Sequence, residues 1–187
     1  MQLNLETMLT ENKNEIIYSK NIIELLTVAN EYCLFTEKAE QYQKEDIIYY
    51  YLKICPLLYL KGILLPSVEE CDFEITERYV TEEIWEHIFI SLNKKIGQED
   101  NFLSFNNNED VSEKNIIKQS ISEQIADIYQ DLKDFIILYQ KNTQAAKINA
   151  VAECYRLFAT HWGNKIIKLQ MALHNIIFPG VPNETEI

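Results

Sequence analysis

Residues 121–139 read ISEQIADIYQDLKDFIILY, and this segment decides the fold class. Its apolar residues recur at intervals of three or four positions: Ile121, Ile125, Ile128, Leu132, Phe135 and Tyr139. Successive residues of an α-helix are rotated by about 100°, so this spacing places all of them on one side of a helix. The segment therefore predicts an amphipathic helix whose apolar side is buried by neighbouring helices.

The same predicted helix carries a row of acidic side chains: Glu123, Asp127, Asp131 and Asp134. Like charges one turn apart repel each other, at a cost of about 0.2–0.5 kcal/mol per pair. The row therefore predicts that cationic side chains or a metal ion stabilise these carboxylates. What they bind is the main functional question that the sequence raises.

Composition indicates an all-α protein with one domain. The chain has 187 residues, of which 47% are hydrophobic, with only four Gly and four Pro. This length suits one domain, and this composition is that of neither a disordered chain nor a turn-rich β protein. We expect a polar lead-in over residues 1–18, a single helical domain over 19–178 and a C-terminal tail over 179–187.

Within the domain we expect a single bundle of five or six helices, over about residues 20–42, 44–66, 81–96, 112–141 and 144–178. The second of these helices is apolar on all sides, which predicts a central position. It should be kinked or broken near residues 52–55, because Pro56 removes a backbone donor and clashes with the preceding turn. The three-residue connection after Gln140 predicts that the last two helices are antiparallel neighbours.

The segment 98–115 is long for a bare connection and contains Asn106, Asn107 and Asn108, which favour turns. Its apolar residues Phe102 and Leu103 could instead pin it down as a flap or a short hairpin. Whether this segment is a lid stays open at this point.

The net charge of the chain limits the classes of partner that it could bind. The formal net charge is −12, from 29 acidic and 17 basic residues. We expect no nucleic-acid binding, which depends on clustered cations, and the acidic surface favours a basic protein partner. We expect no membrane span and a cytoplasmic location, because the most apolar run is interrupted by Lys53, Pro56 and Lys61 and the first twenty residues lack the features of a signal peptide.

The last helix offers cations that could meet the acidic row. Its apolar residues form one continuous stripe: Val151, Tyr155, Phe158, Trp162, Ile166, Leu169, Leu173 and Ile176. Lys147, His161, Lys165 and Lys168 flank that stripe. Equal steps of about 1.5 Å per residue along both helices predict that His161 lies beside Glu123 or Asp127 and that Lys147 reaches Asp134.

A catalytic alternative assigns Mg²⁺ or Mn²⁺ to Glu123, Asp127 and Asp131, with His161 as a further catalytic candidate. Carboxylates one helical turn apart bind such metals in all-α nucleoside-triphosphate pyrophosphatases. Glu37 and Glu40 match the first pair of acidic residues in those enzymes, but position 124 is Gln where the second pair needs Glu. Apart from this alternative, the sequence predicts no cofactor, because it contains no nucleophile or phosphate-binding motif.

Five segments together resemble an uncharacterised bacterial helical family, the domain of unknown function number 5063: VANEYC (28–33), ICPLLYLKGILLP (54–66), VTEEIW (80–85), ADIYQDLKDF (126–135) and HWG (161–163). The resemblance covers about residues 21–177. It implies a small, intracellular, mostly helical protein and provides no functional residue to carry over. The resemblance does imply that ADIYQDL and HWG are characteristic segments of the family. The charge pattern predicts that these same two segments lie close together.

The sequence thus leaves two classes of function. The favoured hypothesis is a non-enzymatic interaction or adaptor protein with an acidic surface. The alternative is a metal-dependent hydrolase of a nucleotide or other small molecule, using carboxylates on helices. The sequence does not determine the oligomeric state.

Overall fold

A computed structural model describes residues 15–68, 78–105 and 116–179. The helices of this part of the chain are α1 (Lys20–Glu37), α2 (Lys44–Ile63), α3 (Glu82–Ile96), α4 (Ile121–Gln140), α5 (Gln144–Leu157) and α6 (Gly163–Ile177). Strands β1 (Asn101–Phe105) and β2 (Ile116–Ser120) form one antiparallel pair, with Asn101 opposite Ser120 and Phe105 opposite Ile116. The all-α prediction is confirmed, with this small sheet as an addition.

Helix α4 is the central element of the bundle. It packs against α1, α3, α5 and α6, and all six residues of its predicted apolar stripe are buried. Most of its other side chains are also buried, and only Glu123 and Gln140 are exposed. The prediction that neighbouring helices bury the apolar side of this segment is therefore confirmed.

Helix α4 begins at Ile121, several residues later than the sequence pattern predicts, because β2 occupies the preceding residues. The buried carboxylate of Asp100 fixes this start. It accepts hydrogen bonds from the backbone N–H of Ser122 (2.8 Å), the hydroxyl of Ser120 (2.6 Å) and the amide of Asn93 (2.9 Å). A carboxylate here satisfies an otherwise unpaired N-terminal amide and suits the helix dipole.

The segment predicted as a long loop begins with a 3₁₀ turn, Gly97–Asp100, which leads directly into β1. The pairing of β1 with β2 confirms the short-hairpin interpretation for the described part of this segment. Residues 106–115, on which the question of a lid depends, lie outside the described residues.

Helix α2 runs through Pro56 as a single element, so of the predicted kink or break it is the break that does not occur. Proline has no N–H and frees the carbonyl of the residue four positions earlier, which is Leu52. The side-chain amide of Gln170 on α6 donates a hydrogen bond to that carbonyl over 3.2 Å. A neighbouring helix thus satisfies the oxygen that the proline leaves free.

Helix α2 also lies at the outside of the bundle, although the sequence predicts a central position for it. It packs mainly against α1 and α6. Several of its large apolar residues are exposed as a result: Tyr49, Leu57, Leu60 and Ile63.

Helices α5 and α6 are joined by a π-helical turn, Phe158–Trp162. A π turn contains one residue more than an α turn and shifts the helix face by about 100°. Tyr155, predicted on the apolar stripe, is therefore 38% exposed, and Cys154 and Leu157 are buried in its place. Residues of the stripe from Trp162, the last residue of the π turn, to Leu173 are buried as predicted.

The ends of the domain differ slightly from the predicted ones. Ile17, predicted in a loose lead-in, is fully buried, and its carbonyl accepts a hydrogen bond from the hydroxyl of Tyr139 at 2.7 Å. Residues 1–14 and 180–187 lie outside the described residues. Among the described helices, none combines the length and the hydropathy that a membrane span requires.

Candidate functional site

The structure surrounds the predicted acidic row with hydrogen-bond donors from three directions. We call Asp127, Asp131 and Asp134, together with the groups that bind them, the carboxylate network. The fourth member of the row, Glu123, is exposed and makes no ion pair with a described residue. Its backbone N–H bonds to the hydroxyl of Ser120 as part of the helix cap.

Asp131 is the centre of the carboxylate network and is only 3% exposed. One carboxylate oxygen accepts a hydrogen bond from the guanidinium of Arg78 at 3.2 Å, and the other contacts Nδ1 of His161. Arg78 and His161 are both partly exposed, so one buried carboxylate holds two side chains that reach the surface.

His161 thus contacts Asp131, and the prediction that it lies beside Glu123 or Asp127 is wrong by one to two helical turns. The prediction assumed two straight α-helices, and the π turn that contains His161 breaks this assumption. Lys147 was predicted beside Asp134, but its ammonium donates to the carbonyl of Tyr139 at 2.7 Å.

Asp127 connects three helices. One oxygen accepts a hydrogen bond from the indole N–H of Trp85 on α3 at 2.8 Å, and the other pairs with the ammonium of Lys165 on α6 at 2.6 Å. The general prediction that cations of the last helix meet the acidic row is thus fulfilled by Lys165 and His161.

Asp134 anchors the segment that leads into α3. One of its oxygens accepts hydrogen bonds from the backbone N–H groups of Tyr79 (2.8 Å) and Val80 (2.9 Å), and the other contacts Arg78 at 3.4 Å. Burial raises the pKa of Asp134 above the usual range, although these donors act in the opposite direction. Sequence reasoning missed Arg78, because the segment before it has no regular pattern.

These contacts leave no free carboxylate oxygen on Asp127 or Asp131 for the Mg²⁺ or Mn²⁺ of the metal hypothesis. Both oxygens of Asp127 and both of Asp131 already bind protein donors, so a metal ion would have to displace Lys165, Arg78 or His161. In the described residues, no three His, Cys, Asp or Glu side chains gather in a way that could hold a metal ion. Glu37 faces elsewhere, towards Lys133 at 2.7 Å and Tyr129 at 3.0 Å.

The described thiols also offer no nucleophile. Cys154 is buried against the π turn, and burial raises its pKa well above the usual range. A thiolate is the reactive form, so this cysteine is inert in the folded protein.

A second candidate site, which sequence reasoning did not find, lies between α2 and α6. We call it the α2–α6 groove. It has a volume of about 470 Å³ and is lined by Pro56 and Tyr59 of α2 and by Ile166, Ile167, Gln170, Met171 and His174 of α6. Cavities of about 300–1,000 Å³ with mostly apolar walls are typical of binding sites.

Apolar side chains continue from the α2–α6 groove onto the surface of both helices. Leu60 is 52% exposed and Ile63 59% exposed on α2; Ile167 is 52% and Met171 48% exposed on α6. The only trace of this groove in the sequence is that residues 47–65 are apolar on every side of the helix. That pattern predicts a buried helix. A helix at the edge of a bundle leaves the same residues on the surface.

Comparisons with known proteins place the chain in a family. The profile described as "Domain of unknown function (DUF5063)" matches residues 16–179. The chain belongs to this family. The resemblance inferred from the five sequence segments is thereby confirmed, and the family description names no activity.

A solved structure supports the same relationship. The crystal structure of protein BF1032 from Bacteroides fragilis is 38% identical in sequence, covers 90% of this chain and 99% of its own, and superposes with a TM-score of 0.78. None of the curated proteins matches the chain. This DUF5063 protein therefore shares its fold with that structure, and its function has to be argued from its own surfaces.

Proposed function

We propose that this protein is a non-enzymatic interaction protein and that a partner binds in the α2–α6 groove. The observation that carries the proposal is the exposure of large apolar side chains on both sides of a cavity. Keeping apolar surface in water costs about 25 cal/mol per Å², and contiguous exposed apolar patches mark interaction sites. A partner that covers Leu60, Ile63, Ile167 and Met171 would remove this cost.

The carboxylate network supports the non-enzymatic assignment. A metal-dependent hydrolase would need Glu123, Asp127 and Asp131 to bind Mg²⁺ or Mn²⁺. Two of these three side chains bind protein donors through both oxygens, and the third points to solvent. The arrangement is that of a structural connection between α3, α4 and α6.

A basic partner for the acidic surface is a second candidate. Glu82, Glu83 and Glu86 in the first turns of α3 are exposed and make no ion pair with a described residue. A protein with both surfaces could connect two partners as an adaptor. Binding of a lysine-rich peptide that charge reversal of these three residues abolishes would support this role.

We also propose a cytoplasmic location. Among the described cysteines, Cys33, Cys55 and Cys154 are free thiols and buried. Free thiols are characteristic of reducing compartments, whereas secreted proteins commonly form disulfides.

The docking proposal can be tested by selecting peptides from a display library on the wild-type protein. Selected peptides should bind at least about tenfold more weakly, or about 1.4 kcal/mol, to Ile167→Glu. The matched control is Ile90→Glu on α3, since Ile90 is 54% exposed and lies outside the groove. Circular dichroism checks that both variants are folded. Peptides that bind all three proteins equally would show that the groove is not the docking surface.

A further inference from the structure

The charge of the surface around the α2–α6 groove differs from that of the whole molecule. The chain carries 29 acidic residues, yet residues 47–68 and 154–179, which contain α6 and most of α2, include none. Their charged residues are all basic. Lys61 pairs with Glu24 at 2.6 Å and Lys165 with Asp127 at 2.6 Å, whereas exposed Lys53 has no acidic partner among the described residues.

None of the described residues that line the groove itself is acidic. At physiological salt, charges that are more than about 8 Å away are largely screened. A partner in the groove therefore meets lining side chains without a negative charge, although the molecule as a whole has a charge of −12.

The shape of the groove indicates the conformation of its occupant. Gly62 lies against Phe158 and Trp162, and ten residues earlier Leu52 bonds to Gln170, so α2 and α6 are antiparallel along this stretch. Ten residues of helix span about 15 Å. A trough between two antiparallel helices suits a third helix, whose apolar residues enter at intervals of three and four positions.

The lining also favours a helix. Met171 is unbranched and can adapt to the side chains of a partner. Exposed apolar residues extend along both helices beyond the cavity, which is more surface than a small molecule in the cavity would cover.

We propose that the α2–α6 groove binds an amphipathic helix of a partner protein whose polar face is acidic. This inference rests on the proposed function and names the class of partner. It is opposite to the basic partner that the net charge suggests, because a basic helix would bring its cations to Lys53. The carboxylates of α2, Glu45 and Asp46, lie in its first turn, whereas the groove is lined from Pro56 onwards.

Two synthetic helical peptides test the inference. Both carry leucine at positions i, i+3, i+4 and i+7 over about 18 residues, long enough for helix formation. One has glutamate and the other lysine at the remaining positions. Calorimetry measures their binding to wild type, to Ile167→Glu and to the control Ile90→Glu, and only binding that Ile167→Glu removes is assigned to the groove.

The glutamate peptide should bind the groove at least tenfold more tightly than the lysine peptide. Lys53→Glu should weaken the glutamate peptide and leave a glutamine version of the same peptide unchanged, which separates charge from loss of folding. Ile90→Glu should have no effect on either peptide.

Several results would overturn the inference. Tighter groove binding by the lysine peptide would refute the acidic partner while the proposed docking surface stands. Absence of groove binding by both peptides would refute the helical occupant, and the proposed function would then depend on the display selection alone. A wild-type dimer that Ile167→Glu converts to a monomer in sedimentation would assign the groove to a second copy of the chain.

Discussion

At the scale of single residues, the important feature is a buried carboxylate that binds an arginine and a histidine. Asp131 binds Arg78 from the segment before α3 and His161 from the π turn. Burying a carboxylate is costly unless it is paired and hydrogen-bonded. Arg78 and His161 therefore satisfy Asp131 and also connect distant parts of the chain to α4.

Replacement of Asp131 should show how much this connection contributes. Asp131→Asn keeps the size of the side chain but removes the charge that attracts Arg78 and one of the two oxygens that contact Arg78 and His161. We expect the free energy of unfolding to fall by about 2 kcal/mol, a value reduced by the partial exposure of both partners. Chemical denaturation measures the change. Glu123→Gln, on the exposed part of the same helix, is the control and should change stability by less than about 0.5 kcal/mol.

Asp134 provides a prediction on pH. The pKa of Asp134 is raised in the folded protein. Its contribution to stability is therefore complete below the pKa of the unfolded chain, about 3.9. This contribution is lost as the pH rises through the pKa of the folded protein. The asparagine of an Asp134→Asn variant does not titrate, but its side-chain oxygen could still accept the backbone hydrogen bonds of Tyr79 and Val80. The unfolding free energy of this variant relative to wild type should therefore increase as the pH rises above about 4.

Denaturation curves at several pH values test this expectation. A difference between Asp134→Asn and wild type that stays constant with pH would contradict it. The sequence alone placed Asp134 in the acidic row but could not show which donors meet it, because Arg78 is more than fifty residues away.

At the scale of elements, Pro56 illustrates how a neighbouring helix overrides a local preference. Proline inside a helix typically costs about 3 kcal/mol, and the sequence predicts a kink or break. The amide of Gln170 binds the freed carbonyl of Leu52, and α2 continues to Ile63. This compensation depends on how α2 and α6 pack, which no local pattern contains.

A double-mutant cycle tests this compensation. Gln170→Met removes the donor and should lower the unfolding free energy by about 1 kcal/mol. In a Pro56→Ala background the same change should cost less, because alanine restores a backbone N–H that can bond to the carbonyl of Leu52. Equal costs in the two backgrounds would show that Gln170 does not replace the missing backbone donor.

The π turn is the second feature at this scale. It packs tightly on α2, since a Cβ atom on Gly62 would lie 2.5 Å from the ring of Phe158 and 2.6 Å from that of Trp162. The same turn places His161 beside Asp131 while Trp162 is fully buried. Regular helical spacing predicted the two halves of this helix but could not reveal the inserted residue between them.

Gly62→Ala tests this close packing. Alanine favours helices over glycine by about 1 kcal/mol, but the clash should outweigh this gain and destabilise the protein by about 1–3 kcal/mol. Phe158→Leu removes the ring and should reduce the penalty of Gly62→Ala in the double variant. Thermal and chemical denaturation measure both effects, and a stabilised Gly62→Ala protein would contradict the observed packing.

At the scale of the whole molecule, the surface charge is divided unevenly. The acid-free helical segments around the α2–α6 groove contrast with the exposed glutamates at the start of α3. The acidic residues of the central helix contribute little to this surface, because Asp131 and Asp134 are buried and paired.

The donors that occupy the carboxylates of α4 lead to a prediction on metal binding. Adding Mg²⁺ or Mn²⁺ should not raise the melting temperature, because a ligand stabilises a protein only through a site that it can occupy, and donors already occupy Asp127 and Asp131. Differential scanning fluorimetry with and without each metal measures the effect, with Ca²⁺ as the control for nonspecific screening. A concentration-dependent increase that Asp131→Asn abolishes would revive the metal-dependent alternative.

The sequence by itself determined the all-α class, the central amphipathic helix and the row of carboxylates beside its apolar stripe. These features depend on residue spacing, which α-helical geometry converts directly into faces. Only the tertiary structure decided which carboxylate of the row each of Arg78, Trp85, Lys165 and His161 binds. It also decided that α2 passes through Pro56 at the edge of the bundle and that a groove opens between α2 and α6. Those outcomes depend on contacts between residues far apart in the chain and on a one-residue shift in helix phase, neither of which local periodicity encodes.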